Sequence, residues 1–200
     1  MTAARRLLSV NVARPTPIEI DGRQVMTAIR KRAASSAAQP ERLAVAPLGI
    51  DGDEQTDLTV HGGLSKAVYA YPHEHYKVWQ TMRAQAGVQS WDDDLPFGML
   101  GENLTITGLL ESDVWVGDLL KFPDCTLAVS EPRQPCFKFQ AVMGFKQASK
   151  MMAQSGYCGF YLAVREPGTI AAGDSFELIA GPREVSISEL FANKMRRRDV

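Results

Sequence analysis

The stretch LTITGLLESDVWVGDLLKFPDCTLAV, residues 104–129, decides the fold. Leu104 to Ile106, Val114 to Val116, Leu119 to Phe122 and Thr126 to Val129 are short apolar runs separated by Gly and Asp turns. Each run is too short for a helix and suits a strand, so strands following one another at this spacing predict a barrel or a sandwich. Working toward the N-terminus, Arg5 to Val12 and Ile18 to Ile20 also read as strands. Asp21-Gly22 before Val25 is a hairpin signal, because Asp and Gly tolerate the positive φ of a tight two-residue turn. Residues 33–40 are small and polar and predict a surface loop. Leu43 to Ile50 resumes an extended pattern, Asp51-Gly52-Asp53-Glu54 turns the chain, and Leu58 to Val60 is strand-like.

Lys66 to Tyr71 predicts another strand, after which Pro72 suits the first turn of a helix over His73 to Ala86. Toward the C-terminus, Phe145 to Gln154 predicts a helix ended by Gly156. Phe160 to Val164 and Phe176 to Ile179 are strands, and Ser186 to Lys194 is a short last helix. Strands and helices do not alternate as βαβ units would require. The expectation is a mainly β, α+β chain of mostly antiparallel strands with a few short peripheral helices. Its domain spans residues 1–180, followed by a short helical tail at 181–200.

Composition narrows the function classes. The 200 residues are 45% hydrophobic and 22% charged, enough for one buried core. With 22 Lys and Arg against 23 Asp and Glu, the net charge of −1 offers no bulk attraction to a nucleic acid polymer or an anionic membrane. The basic run Lys194, Arg196, Arg197 and Arg198 reads as a solvated tail. The apolar stretch after Arg5 and Arg6 is interrupted by Ser9 and Asn11 and stopped at Pro15, too short for a signal peptide. No run reaches the ~18 apolar residues of a membrane span. A cytoplasmic protein is expected. Three scattered cysteines, with no Cys-x-x-Cys pair, fit neither a disulfide framework nor a four-cysteine metal site.

Cys136 is the candidate reactive centre. It stands in Glu131-Pro132-Arg133-Gln134-Pro135-Cys136-Phe137-Lys138, where two prolines stiffen the chain and present the thiol reproducibly. Arg133 and Lys138 lie close by, and cations favour the thiolate that attacks electrophiles or ligates metals. Cys125 and Cys158, in strand-like surroundings, read as buried structural cysteines. In His61-Gly62-Gly63 the glycines allow close backbone approach to a ligand and the imidazole can handle a proton, although a plain turn has the same composition. Lys66 reads as an exposed strand-edge lysine. His73 and His75 are about 200° apart on a helix, cannot share a metal, and read as surface residues. Glu102 and Asn103 can cap backbone groups or hydrogen-bond a heterocyclic ligand. The chain has no Gly-x-Ser-x-Gly elbow, phosphate-binding Walker loop or dinucleotide fingerprint.

Several of these segments occur in a telling order. They are Gly52-Asp53-Glu54-Gln55-x-Asp57, His61-Gly62-Gly63, Ala67-Val68-Tyr69, Phe97-Gly98, Gly101-Glu102-Asn103-Leu104, Val116-Gly117-Asp118 and the run from Pro132 to Lys138. In that order the chain resembles the MOSC family, named for the C-terminal domain of molybdenum cofactor sulfurase, and within it the small bacterial YiiM-type proteins. The resemblance runs from about Leu7 to Ile179 and implies a MOSC-type β-barrel. It also implies a molybdenum–molybdopterin cofactor, with Cys136 as catalytic residue and molybdenum ligand. His61, Gly62, Gly63, Asn103, Arg133 and Lys138 would then bind the cofactor's phosphate and pterin.

Active relatives reduce N-hydroxylated compounds, hydroxylamino purines among them, which implies a small N-hydroxylated substrate and an oxidoreductase activity. Electrons would come from a separate flavoprotein, ferredoxin or cytochrome-type donor protein. The family is also associated with pyridoxal phosphate, for which Lys138 would be the Schiff-base lysine. Two other readings stay open: a non-catalytic cofactor or sulfur carrier using a persulfide on Cys136, and a metal-free cysteine hydrolase with His61 as base.

Overall fold

The computed structural model describes residues 4–55 and 62–197. Thirteen strands, β1 to β13, are described. In chain order they are Arg6–Val12, Thr16–Ile20, Arg23–Thr27, Arg32–Ser36, Leu43–Ala46, Gly49–Ile50, Val68–Pro72, Leu104–Thr107, Leu119–Lys121, Thr126–Pro132, Phe160–Glu166, Gly168–Ile170 and Glu177–Ile179. Four α-helices accompany them: α1 Tyr76–Gln85, α2 Phe137–Met143, α3 Ala148–Ser155 and α4 Ile187–Arg196. This is an α+β fold dominated by one sheet.

Eight strands form that sheet, in the order β13-β9-β10-β11-β7-β8-β1-β4. Its pairs are antiparallel except β7 with β8. The expected barrel is not a closed ladder among the described residues, because β13 and β4 stand at opposite ends of the order. Instead, a bridge between Arg6 and Ser175 and a bond from Leu7 N–H to the Asp174 carbonyl join β1 to the segment entering β13. A three-residue β13 is too short to extend that contact into a ladder. Two smaller sheets, β2-β3 and β12-β5-β6, are separate ladders from the large one.

Local sequence explains most elements. Asp21 and Gly22 take φ of 49° and 74° and close the β2-β3 hairpin. Gly156, at φ 75°, ends α3 with its N–H on the Met152 carbonyl. Ser186 caps α4 in a capping box with Glu189, worth about 1 kcal/mol.

Several readings need correction. Part of residues 33–40, read as loop, is β4, whose small side chains lack a pattern of their own and pair with β1. Val114 to Val116 is not a strand; Trp115 makes an isolated bridge to Ser186. Helix α2 and strand β12 were not anticipated. Finally, His75 is buried, not superficial. Its Nε2 lies 2.8 Å from Glu111 Oε2 and its ring stacks on Tyr157 at 3.8 Å, while His73 is exposed. The strand-like Leu58 to Val60 lies outside the described residues.

The core gathers on the large sheet around Trp79, Tyr71, Phe139, Phe160 and Leu104, each under 2% exposed. Burying side chains of this size contributes on the order of 2 kcal/mol apiece. Strand β1 also carries buried polar side chains. Ser9 Oγ donates to Asn11 Oδ1 at 2.7 Å, and Asn11 Nδ2 donates to Thr105 Oγ1 at 3.1 Å, so neither group is left unpaired in the interior. Ser9 and Asn11 thus interrupt the apolar run without weakening the strand. No described helix is long and apolar enough to cross a membrane.

Candidate functional site

Beyond its last register pair, β10 runs into the Arg133 to Pro135 connection, and Cys136 is the N-cap of α2 with extended backbone, φ −140° and ψ 165°. Pro132 and Pro135 are both buried and hold the chain between them. The Cys136 carbonyl accepts from Ser149 Oγ of α3 at 3.1 Å, which fixes the backbone from a second helix. The thiol itself is half-buried and lines a pocket with a cavity volume of about 90 Å³.

Four cationic side chains, Lys31, Lys66, Arg133 and Lys138, line that pocket with the carboxylates Asp53 and Glu54. The local balance is therefore positive although the whole chain is not. Lys66 is not the exposed strand-edge lysine expected from sequence; it closes a 3-10 turn over Leu64–Lys66 and forms part of the wall.

Arg133 is the unusual member. It is only 5% exposed, its guanidinium carbon lies 4.7 Å from the Phe139 ring centroid and 5.2 Å from that of Tyr69, and its Nη1 has no hydrogen-bond partner. Burial disfavours its charge, but the aromatic and thiol neighbours Tyr69, Cys136 and Tyr161 outweigh that and keep it cationic. A buried guanidinium with an unsatisfied N–H is costly, on the order of 1–3 kcal/mol, unless an anion completes it.

Asn103 sits behind the same wall with its amide committed. Nδ2 donates to Asp53 Oδ2 at 2.8 Å and to the Asn11 carbonyl at 3.2 Å, and Oδ1 accepts from Tyr69 N–H at 3.1 Å. Asp53 also pairs with Lys31 and accepts from Ala13 N–H at 2.8 Å. Burial pulls the Lys31 ammonium below its ordinary value and Asp53 opposes this. The neighbouring Glu102 is fully buried and caps the preceding loop, accepting from Gly98 N–H at 2.8 Å and Leu100 N–H at 3.1 Å. Asn103 thus lines the pocket, and Glu102 holds the loop behind it.

Of the residues singled out in the sequence, the structure brings Cys136, Arg133, Lys138 and Asn103 to one pocket. Gly62 and Gly63 are half-buried but absent from its described lining; Gly63, at φ 89°, donates its N–H to Gln55 Oε1 at 2.9 Å. His61 lies outside the described residues. Sequence reading missed Lys31, Asp53 and Tyr161 as wall residues. Gly52-Asp53-Glu54-Gln55 carried a signal for the second; the other two are ordinary strand-edge residues in sequence.

A model of the MOSC domain matches residues 57–177, which takes in the Cys136 segment. The chain belongs to the MOSC domain family. Its relatives include the uncharacterized protein YflK of Bacillus subtilis, 38% identical over 193 residues, covering 96% of this chain and 81% of YflK. Protein YiiM of Escherichia coli is 33% identical over 151 residues, covering 75% of this chain and 65% of YiiM. A protein of Gibberella moniliformis named reductase is 36% identical over 135 residues, 67% of this chain but 23% of the reductase. The chain therefore spans less than two thirds of the length of the last two. Among solved structures, YiiM from Geobacillus stearothermophilus superposes with a TM-score of 0.74 at 29% identity, covering 98% of this chain and 86% of that one. This is a YiiM-type MOSC protein.

Proposed function

We propose that the pocket holds a molybdenum–molybdopterin cofactor with Cys136 as the protein's ligand to the metal. The loaded protein then reduces N-hydroxylated small molecules, such as hydroxylamino purines, with electrons from a separate donor protein. The observation that carries this reading is the buried Arg133, which lines the pocket together with Cys136 and whose Nη1 has no hydrogen-bond partner. A phosphate of the cofactor would complete that guanidinium by a charge-assisted bond. The association of the MOSC family with this cofactor, and the relative named reductase, support the same reading.

The donor set fits. Among the described residues no group of three or more His, Cys, Asp or Glu could hold a metal ion. One cysteine sulfur beside several cations suits a soft metal that brings its own sulfur ligands on an anionic carrier. When bound, the cofactor supplies the two-electron chemistry that cleavage of an N–O bond requires. The chain's own residues do the rest. Cys136 is held still by the flanking prolines and Ser149, Arg133 fixes the phosphate, and Lys138 adds positive charge. Burial holds the Tyr161 phenol above its ordinary value, against the opposing pull of Arg133, so Oη stays protonated and lines the pocket as a hydrogen-bond donor.

Protein purified from a host that makes the cofactor, given reduced methyl viologen and a hydroxylamino purine, tests the reading. Consumption of the hydroxylamino group is expected. Loaded protein without turnover would favour a cofactor or sulfur carrier in place of a reductase.

A further inference from the structure

Arg133 sits in the interior with no carboxylate against it: among the described residues none forms an ion pair with its guanidinium. Two aromatic rings, Phe139 at 4.7 Å and Tyr69 at 5.2 Å, take that place. Each ring is itself held. Phe139 stands in α2, three residues after Cys136, fully buried with the Trp79 ring edge-on at 5.5 Å. Trp79 is fixed in turn, because its Nε1 donates to Tyr71 Oη at 2.6 Å. Tyr69 Oη donates to the Cys158 carbonyl at 2.7 Å, and the Tyr71 ring meets Tyr69 edge to face at 6.2 Å. Tyr69 lines the pocket, whereas Phe139 is outside its described lining.

A buried guanidinium needs a neighbour that favours its charge. A carboxylate would serve, but it would neutralise the cation and take up its N–H donors. A ring face attracts the cation through its quadrupole and carries no opposing charge, so the net charge survives. We propose that Phe139 is a positioning residue for the pocket: with Tyr69 it holds the Arg133 guanidinium in place for an anionic ligand without neutralising it. This rests on the reading of the pocket as an anion site. Helix α2 then serves the site twice, presenting Cys136 at its N-cap and bracing Arg133 from its buried side.

Calorimetric titration of the full chain with inorganic pyrophosphate tests this, using wild type, Phe139→Leu, Arg133→Lys, the Phe139→Leu/Arg133→Lys pair, Val142→Ala and Arg133→Met. Phe139→Leu keeps an apolar side chain and removes the ring, and is expected to weaken binding about tenfold, the scale of a desolvated cation–π contact. Should that variant not fold, Phe139→Met takes its place with the same expectation. Arg133→Lys should also weaken binding, because an ammonium has no plane to lay on a ring. The pair should bind as Arg133→Lys does, since Phe139 acts through the guanidinium. Val142→Ala, which removes buried volume from the same helix, should lower the unfolding temperature and leave affinity unchanged. A merely structural role for Phe139 predicts the reverse: an equal loss in the Arg133→Lys background, or a matching loss in Val142→Ala, and either would overturn the proposal. If Arg133→Lys does not bind, the nuclear magnetic resonance signal of Arg133 Nε–H decides. Its ring-current displacement should vanish in Phe139→Leu, and an unmoved signal would overturn the proposal. Unchanged affinity in Phe139→Leu, with binding still abolished by Arg133→Met, would overturn it too and leave the pocket reading standing. Failure of wild type to bind pyrophosphate would defeat both.

Discussion

Cys125, Cys136 and Cys158 occupy three different surroundings. Cys125 and Cys158 are 3% and 0% exposed, and burial pushes the Cys125 thiol up to about 12 and the Cys158 thiol well above its ordinary value. Cys136 is half-buried at a pocket. Since the thiolate is the reactive form, iodoacetamide at pH 8 should label the native protein at Cys136, and label Cys125 and Cys158 only after unfolding. Peptide mass spectrometry reads the sites, and comparable labelling of native Cys125 would contradict the assignment. The same scale shows why some residues were legible in sequence and others not. Pro132, Arg133, Pro135 and Cys136 lie together in the chain. His75 and Lys194 were misread as surface because their partners Glu111 and Glu131 are 36 and 63 residues away, and no local pattern encodes that pairing.

Asn103 ties elements together: its amide joins β1 through Asn11, β7 through Tyr69 and the Asp53 loop, just where β8 begins. Replacing it by Ala removes three bonds and strands buried groups, at a cost of about 3 kcal/mol. Chemical denaturation should show this loss, and a change below ~1 kcal/mol would mean that water or neighbouring groups replace the amide. Elements with a strong local signature were legible, including the Asp21-Gly22 hairpin, the helix ended by Gly156 and the Ser186 cap. Strand β4 was not, since Ala33, Ala34, Ser35 and Ser36 have no hydrophobic alternation and become a strand only through pairing with β1. Helix α2 was hidden because Pro132 and Pro135 precede it and Gly144 ends it after seven residues.

For the molecule as a whole, Glu102 links stability to pH. Burial raises its carboxyl above the ordinary value of 4.5, with the Tyr76 hydroxyl and loop amides opposing. The folded state therefore holds this proton to higher pH than the unfolded one, and the associated stability, full below about 4.5, is lost as pH rises through the raised value. Glu102→Gln should remove that decline, so wild type should lose stability relative to the variant as pH rises from 4.5. Parallel thermal melts across pH would refute this if the difference stayed constant. The sheet-dominated class was legible from strand spacing, whereas the open ends of the sheet depend on a contact between Arg6 and Ser175 that spacing does not report. The assembled pocket draws walls from across the chain, and the Cys136 segment, the Asp53 turn and Asn103 announced parts of it, whereas Lys31 and Tyr161 did not. The central claim is that Cys136 holds molybdenum there. Molybdenum and pterin content, measured on wild type, Cys136→Ser and Cys125→Ser purified from a cofactor-producing host, tests it directly. Molybdenum should be present in wild type and Cys125→Ser and largely lost from Cys136→Ser; equal content in all three, or none in any, would contradict the account.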